Sequence, residues 1–160
     1  MLEPACPADV RPLHRLRRQL ENWLHGRGID QWRPGEVPEQ EIAEQVARGD
    51  WHVLRRGGTI DAALRHLRTD PQIWGEDPAP AAYVHGLMVD RAAAGRGLGD
   101  TLLRWAAERG RAGGAELLRL DCAESNTALR AYYRARGFTE VGRKDFEHGW
   151  FSATLLEKRL

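Results

Sequence analysis

The stretch VDRAAAGRGLG, from Val89 to Gly99, joins a segment predicted to be a buried strand to one predicted to be an amphipathic helix. Glycines stand at every second position, at Gly95, Gly97 and Gly99, so backbone N–H groups can converge on one point without intervening side chains. The helix N-terminus adds its partial positive charge at the same place. The stretch therefore predicts a turn that binds a pyrophosphate.

The spacing of this turn distinguishes it from two common phosphate-binding motifs. A P-loop requires G-x-x-x-x-G-K-[ST], and the turn contains no lysine. A dinucleotide-binding fingerprint has G-x-G-x-x-G, whereas the spacing here is G-x-G-x-G. Taken alone, a glycine-rich turn from strand to helix is as often a structural connection as a ligand site. Both interpretations stay open at this point.

The patterns on either side of the turn predict alternating helices and strands. Apolar residues at helical spacing predict helices at Val10–Gly26, Glu39–Ala47, Leu98–Arg111 and Asn126–Arg136. After a short extended start, strands are predicted at Trp51–Arg56, Thr59–Leu67, Ala81–Val89, Glu116–Cys122 and as a pair within Phe138–Leu160 broken near His148 and Gly149. Residues 28–38 and 70–80 are predicted loops. This order indicates a mixed sheet with helices on both faces.

A second segment, NTALRAYYRARGF from Asn126 to Phe138, opens a predicted helix with asparagine and ends it with glycine and phenylalanine. Together with the glycine turn it resembles the two cofactor motifs of the GNAT family of N-acetyltransferases. In that family the pattern Q/R-x-x-G-x-G/A begins the central helix and binds the coenzyme A pyrophosphate. Gly97 and Gly99 match this pattern, and Ala94 stands where the family usually has glutamine or arginine. The second motif matches at Asn126, Tyr133, Gly137 and Phe138.

The resemblance implies the acyl-CoA N-acyltransferase fold, formed by residues 1–160 as one domain. This is an α/β fold with a mixed, mostly antiparallel central sheet of about six to seven strands and helices on both faces. The implied cofactor-binding residues are Leu87, Met88, Val89, Ala94, Gly95, Arg96, Gly97, Leu98, Gly99 and Asn126. Those around Leu87 to Val89 act through backbone groups freed where the central strand splays from the next one. Arg91 or Arg96 can supply the cation that Ala94 lacks.

The implied activity is transfer of an acetyl group from acetyl-CoA to a primary amine by direct attack, without a metal. The expected acceptor is an unidentified small molecule, and a protein or peptide amine is the alternative. A second alternative is a non-catalytic acyl-CoA sensor, which would tolerate loss of Tyr133. A nucleotide-phosphate binder of different chemistry is disfavoured because the turn lacks lysine.

Two residues are candidates for proton transfer. Attack on a thioester expels a thiolate, and a phenol with an unperturbed pKa of about 10 can protonate it. The family register selects Tyr133 as this acid over Tyr132, although either can be a helix tyrosine packed under the sheet. His85, with an unperturbed pKa of about 6.5, is the first candidate base, and strand alternation predicts that it faces the same side as Leu87 and Val89 unless a bulge intervenes. Other candidates are ordered water, Asp121, Glu124 and Glu147.

The acceptor site is expected in the segment Gly28–Trp32 together with Asp70–Glu76. Tryptophan beside acidic residues can stack on a cationic amine. Trp23, Trp32 and Trp74 can equally be packing residues. The identity of the amine has no signature in the sequence.

Composition and charge exclude several other classes of protein. Hydrophobic residues make up 42% of the 160 residues and charged residues 29%, which is typical of a globular domain and not of a disordered one. The net charge of +1 argues against nucleic-acid binding. We expect no membrane partner and a cytoplasmic location, because no signal-like or spanning run is found and the two cysteines form no framework. A homodimer is left open.

Overall fold

A computed structural model, describing residues 1–147, 149 and 151–160, places seven strands in a single sheet. The helices are α1 (Val10–Gly26), α2 (Glu39–Ala47), α3 (Pro71–Trp74), α4 (Leu98–Ala112) and α5 (Thr127–Arg134). The strands are β1 (Glu3–Pro4), β2 (Trp51–Arg56), β3 (Thr59–Leu67), β4 (Ala81–Val89), β5 (Leu117–Ala123), β6 (Thr139–Lys144) and β7 (Ala153–Arg159). Their order across the sheet is β1-β2-β3-β4-β5-β7-β6. Among the described strands, β4 and β5 pair in parallel and the other neighbours are antiparallel.

This architecture confirms the predicted mixed, mostly antiparallel sheet with helices on both faces. The predicted bounds of α1, α2, β2, β3 and β4 agree with the structure. The short helix α3 was not predicted, because its four residues are too few to show helical periodicity. Part of the predicted break between the last two strands, at His148, lies outside the described residues. None of the described helices is long and apolar enough to cross a membrane.

Two apolar cores lie on opposite faces of the sheet. On one face α1 and α2 cover a cluster that includes the fully buried Leu13, Ile42 and Met88. On the other face α4 and α5 cover a cluster that includes Leu102 and Tyr133. Each fully buried side chain of this size contributes about 1.5–3 kcal/mol. The two clusters together fix which way every strand residue faces.

The strands β4 and β5 separate after a short paired stretch. Ala81 to Tyr83 pair with Leu117 to Arg119, and beyond Tyr83 the strand β4 keeps its pairing with β3 only. One edge of β4 from residue 84 onward therefore has backbone groups with no strand beside them. The splay that the family resemblance implies is confirmed by this register.

A bulge at Gly86 reverses the direction of the side chains that follow it in β4. Gly86 and Leu87 together oppose Leu64, between the pairs formed by His85 and Met88. Gly86 has a φ of 56°, and a Cβ on it would lie 2.9 Å from a ring carbon of Trp51.

The bulge corrects one prediction. Leu87 and Val89 pack on the α4 side of the sheet, and Met88 packs on the α1 side. His85 lies on the α1 side as well, beside Asp121. The prediction that His85 shares a face with Leu87 and Val89 is wrong because the bulge interrupts the alternation.

Replacing Gly86 with alanine should destabilise the protein more than the same change at Gly57. The two glycines have nearly equal φ values of 56° and 55°, so both variants place alanine in the left-handed region of φ. Only at Gly86 would the new methyl group meet Trp51, while Gly57 has open space. We expect an additional loss of about 1–3 kcal/mol for Gly86→Ala, measured by urea unfolding. Equal losses for the two variants would contradict the proposed contact.

Candidate active site

Two cavities meet at the point where β4 leaves β5. A cleft of about 650 Å³ runs from the glycine turn along β4 and α5. A second cavity of about 500 Å³ lies under α1, α2 and the loop between them. The residues that line both are Gln31, Trp32, His85, Gly86 and Asp121. A molecule in the cleft and a molecule in the second cavity would therefore meet beside His85 and Asp121.

The glycine turn forms the end of the cleft at the N-terminus of α4. Gly95 and Gly97 have φ values of 77° and 70°, in the left-handed region that favours glycine. At Gly99 the constraint is space, because a Cβ there would lie 2.4 Å from the Tyr132 hydroxyl oxygen. The turn leaves the first N–H groups of α4 uncovered by side chains, an arrangement that suits a phosphate group.

Most of the predicted cofactor-binding residues line this cleft, namely Leu87, Val89, Ala94, Gly95, Gly97, Leu98, Gly99 and Asn126. The side chain of Met88 is instead fully buried in the core on the α1 side, so only its backbone is available to a ligand. Arg96 is exposed and outside the cleft lining. Arg91 does line the cleft, with its guanidinium 4.0 Å from the centre of the Trp23 ring.

Arg136 is a second cation of the cleft, and the sequence analysis missed it. Its guanidinium donates a hydrogen bond to Asp100 and stacks 3.4 Å from the centre of the Tyr132 ring. The Tyr132 hydroxyl donates to the same Asp100 carboxylate at 3.0 Å. Nothing in the sequence separates Arg136 from Arg134, because both belong to one arginine-rich segment.

Asn126 joins the cofactor motif to the segment expected to bind the acceptor. Its side-chain oxygen caps α5 by accepting from the N–H of Leu129 at 3.2 Å. Its side-chain nitrogen donates to the Gln31 oxygen at 3.3 Å, and the N–H of Ala123 donates to that oxygen at 3.1 Å. The segment Gly28–Trp32 is thereby held against the end of β5.

Tyr133 is buried at the side of the cleft, with 6% of its surface exposed. Its ring packs edge-on against Tyr132 and Phe138, at centroid distances of 5.5 and 5.7 Å. Burial strongly raises the pKa of Tyr133, and the nearby Cys122 raises it further. The phenol is therefore protonated at neutral pH, as a proton donor must be.

His85 lies between two carboxylates where the cavities meet. Its Nε2 is 2.5 Å from an oxygen of Asp70, and its Nδ1 is 3.9 Å from an oxygen of Asp121. Burial by itself lowers the pKa of His85, but the hydrogen bond to Asp70 and the charge of Asp121 outweigh burial and raise it. Burial also raises the pKa of Asp121. The unperturbed pKa assumed for His85 in the sequence analysis does not apply in the fold.

The other predicted residues are divided between the two cavities and the surrounding structure. Glu147 lines the second cavity, whereas Glu124 pairs with Arg143 at 3.0 Å. Trp32 lines both cavities and carries the Arg17 guanidinium 3.7 Å from its ring centre. Trp74 lines neither and instead stacks on Arg119 at 4.5 Å.

The donor atoms of Asp70, His85 and Asp121 lie within 4.8 Å of one another, a spacing that a metal ion can bridge. A metal on His85 Nε2 would have to replace its hydrogen bond to Asp70. The short distance between His85 and Asp70 is therefore already explained by a proton between them.

Comparison with known proteins agrees with this geometry. The family model of the GNAT acetyltransferases matches residues 17–138. The uncharacterized N-acetyltransferase YesJ of Bacillus subtilis is 31% identical over 149 residues, which cover 86% of this chain and 82% of that protein. The chain belongs to the GNAT family. It is an acyl-CoA-dependent N-acetyltransferase, and the family resemblance drawn from the two motifs is confirmed.

Solved structures of GNAT proteins share the fold over the whole chain. A GNAT family acetyltransferase from Listeria monocytogenes has a TM-score of 0.78 and 25% identity, with 100% of this chain and 94% of that one covered. A putative acetyltransferase from Salmonella typhimurium, solved with acetyl-CoA, has a TM-score of 0.74 and 16% identity, with coverages of 100% and 93%.

Replacing Arg136 with glutamine should weaken coenzyme A binding to this GNAT domain by about tenfold to a hundredfold, because a charge-assisted hydrogen bond contributes about 1.5–3 kcal/mol. Arg134→Gln is the matched control, since Arg134 is on the same helix, pairs with Glu140 and lies outside the cleft lining. Calorimetric titration with coenzyme A compares the two. Equal affinities for both variants would show that Arg136 does not contact the cofactor.

Proposed function

We propose that this GNAT protein transfers an acetyl group from acetyl-CoA directly to the primary amine of a small molecule. The observation that carries the proposal is the meeting of the cleft and the second cavity beside His85 and Asp121. Acetyl-CoA, present in the Salmonella structure of the same fold, fits the cleft as donor. The second cavity, at about 500 Å³, has the size of a small-molecule site.

The proposed cofactor contacts follow the cleft from one end to the other. The pyrophosphate binds the backbone N–H groups between Gly95 and Gly99 at the N-terminus of α4. Because Ala94 offers no polar side chain, Arg91 and Arg136 supply the cations. The pantetheine amides bind the free edge of β4, and Asn126 lies beside them.

The proposed reaction moves two protons, one to the leaving thiolate and one from the attacking amine. The amine nitrogen bonds to the acetyl carbon, the carbon–sulfur bond breaks, and the thiolate takes the phenolic proton of Tyr133. The proton lost by the amine passes to His85, whose ring is oriented by Asp70 and Asp121. The two carboxylates also favour a cationic amine in this place.

Release of free thiol from acetyl-CoA over a panel of small amines and one peptide amine tests this function. We expect turnover with at least one small amine, and a loss of kcat of about a hundredfold or more in Tyr133→Phe. Tyr132→Phe is the control and should keep near wild-type turnover, because the Tyr132 hydroxyl is bonded to Asp100. Acetyl-CoA binding without thiol release for every amine would instead favour a sensor. Turnover with the peptide alone would contradict the small-molecule acceptor.

The dependence of activity on pH should identify the base. Since the pKa of His85 is raised in the fold, its unprotonated form grows only above the ordinary value of about 6.5, and kcat/KM should rise with pH in that range. Asp70→Asn replaces the carboxylate that raises the pKa of His85 with a neutral amide, so the rising limb should move to lower pH by about one unit. Glu124→Gln is the control, since Glu124 pairs with Arg143 outside both cavities. An unmoved limb in Asp70→Asn would eliminate His85 as the base.

A further inference from the structure

A third cavity lies at the C-terminal end of α4, opposite the glycine turn. Its volume is about 1200 Å³, and its walls are the end of β3, the segment after β3, the start of β4 and the last turn of α4. The charged residues other than histidine that line it are Arg48, Asp50, Arg65, Arg68, Asp70 and Arg109. Four arginines against two aspartates make this a basic cavity in a chain whose net charge is only +1.

The two aspartates of this basic cavity already have partners. Asp50 accepts from Arg48 and Arg65, each at 3.0 Å. Asp70 is hydrogen-bonded to His85. In the described part of the chain, Arg68 and Arg109 are therefore left without a carboxylate partner.

Three histidines line the basic cavity, namely His52, His66 and the His85 of the candidate active site. His52 on β2 and His66 on β3 both contact the Trp105 ring, at centroid distances of 4.6 and 5.7 Å. His52 is only 8% exposed. Its Nδ1 and the Nε2 of His66 are buried and have no hydrogen-bond partner among the described residues. Buried polar atoms are usually hydrogen-bonded, but these two have almost no accessible surface, so a ligand in the cavity acts on the two rings through its charge.

The charged side chains that lower the pKa of these two histidines are arginines. Burial lowers the pKa of His66 to about 4, with further lowering by His52, Arg109 and Arg68, although a backbone hydrogen bond to Ala106 acts against them. Burial and Arg109 also lower the pKa of His52, although a backbone hydrogen bond to Asp50 acts against them. A negative charge placed near these groups would offset the repulsion and favour the protonated form of both rings.

We propose that the basic cavity binds a multivalent oxyanion, held by Arg68 and Arg109, whose negative charge also favours the protonated forms of His52 and His66. The ligand class is a phosphate or a polycarboxylate, because both present several acceptor oxygens to guanidinium donors. The site is distinct from the cofactor turn, since the two lie at opposite ends of α4.

Calorimetric titration with inorganic phosphate and with citrate, at an ionic strength fixed with sodium chloride, tests this site. We expect Arg109→Gln to weaken binding by about tenfold, the loss of one charge-assisted hydrogen bond. Arg111→Gln is the matched control, because it removes the same charge from the same helix end outside the cavity. Equal weakening in the two variants, or no binding of either anion, would overturn the proposal. Phosphate bound at the glycine turn would be unaffected by Arg109→Gln. An affinity for phosphate that this variant leaves unchanged therefore also counts against binding in the basic cavity. The stronger of the two anions identifies the ligand class.

A measurement on the unmodified protein makes the test independent of the variants. The imidazole NMR signals of His66, followed against pH, should give a pKa near 4 without the anion and a higher pKa at saturating phosphate or citrate. The pKa rises because the bound anion stabilises the imidazolium. An unchanged His66 pKa at saturation would show that the anion binds elsewhere.

Discussion

The separation of β4 from β5 beyond Tyr83 is the constraint on which the rest of the structure depends. A continuous sheet would have its backbone groups paired at this place and would leave no room between the strands. The separation opens the edge of β4 to the cleft and lets the second cavity reach the same point from the other side. The helix that follows β4 then begins where the free edge ends, so the glycine turn and the edge form one continuous surface.

Because of the bulge at Gly86, the strand β4 places His85 and Leu87 on opposite faces of the sheet. Without it, His85 and Leu87 would point to the same side. With it, Leu87 lines the cleft while His85 faces Asp70 and Asp121. Trp51 fills the space that a side chain at this position would take, so the bulge is held by core packing.

Charge in this arginine-rich protein is mostly neutralised where it is buried. Arg17 pairs with Glu21 and Glu36, and Arg119 pairs with Asp77 and Glu157. Removing charges from water costs several kcal/mol for each ion unless such partners are present. Arg68 and Arg109 are exposed, so they need no carboxylate partner to remain charged, and a ligand in the basic cavity can supply the negative charge there.

Features that depend on local sequence were predicted correctly. Apolar periodicity bounded α1, α2 and β2 to β4, and the glycine spacing located the turn at the start of α4. Properties that belong to two segments at once were not. The Gly86 bulge is a matter of register between β3 and β4, and the single glycine in the strand pattern is compatible with a bulge without specifying one.

The electrostatic surroundings of a side chain were likewise not predictable from local sequence. The raised pKa of His85 depends on Asp70 and Asp121, which only the strand order brings to it. Arg136 and Arg134 look alike in sequence, and they differ because one faces the cleft and the other faces Glu140.

Hydrogen bonds of Gln31 link the segment expected to bind the acceptor to the elements that line the cofactor cleft. Gln31 accepts hydrogen bonds from both Ala123 and Asn126, and Asn126 caps the helix that carries Tyr133. A ligand that moved the loop around Gln31 would therefore act on the cap of α5 and on the end of β5 near Asp121. Coupling of this kind allows acceptor binding to influence the proposed acid Tyr133 and the Asp121 carboxylate beside His85, because Gln31 is bonded to α5 and to β5.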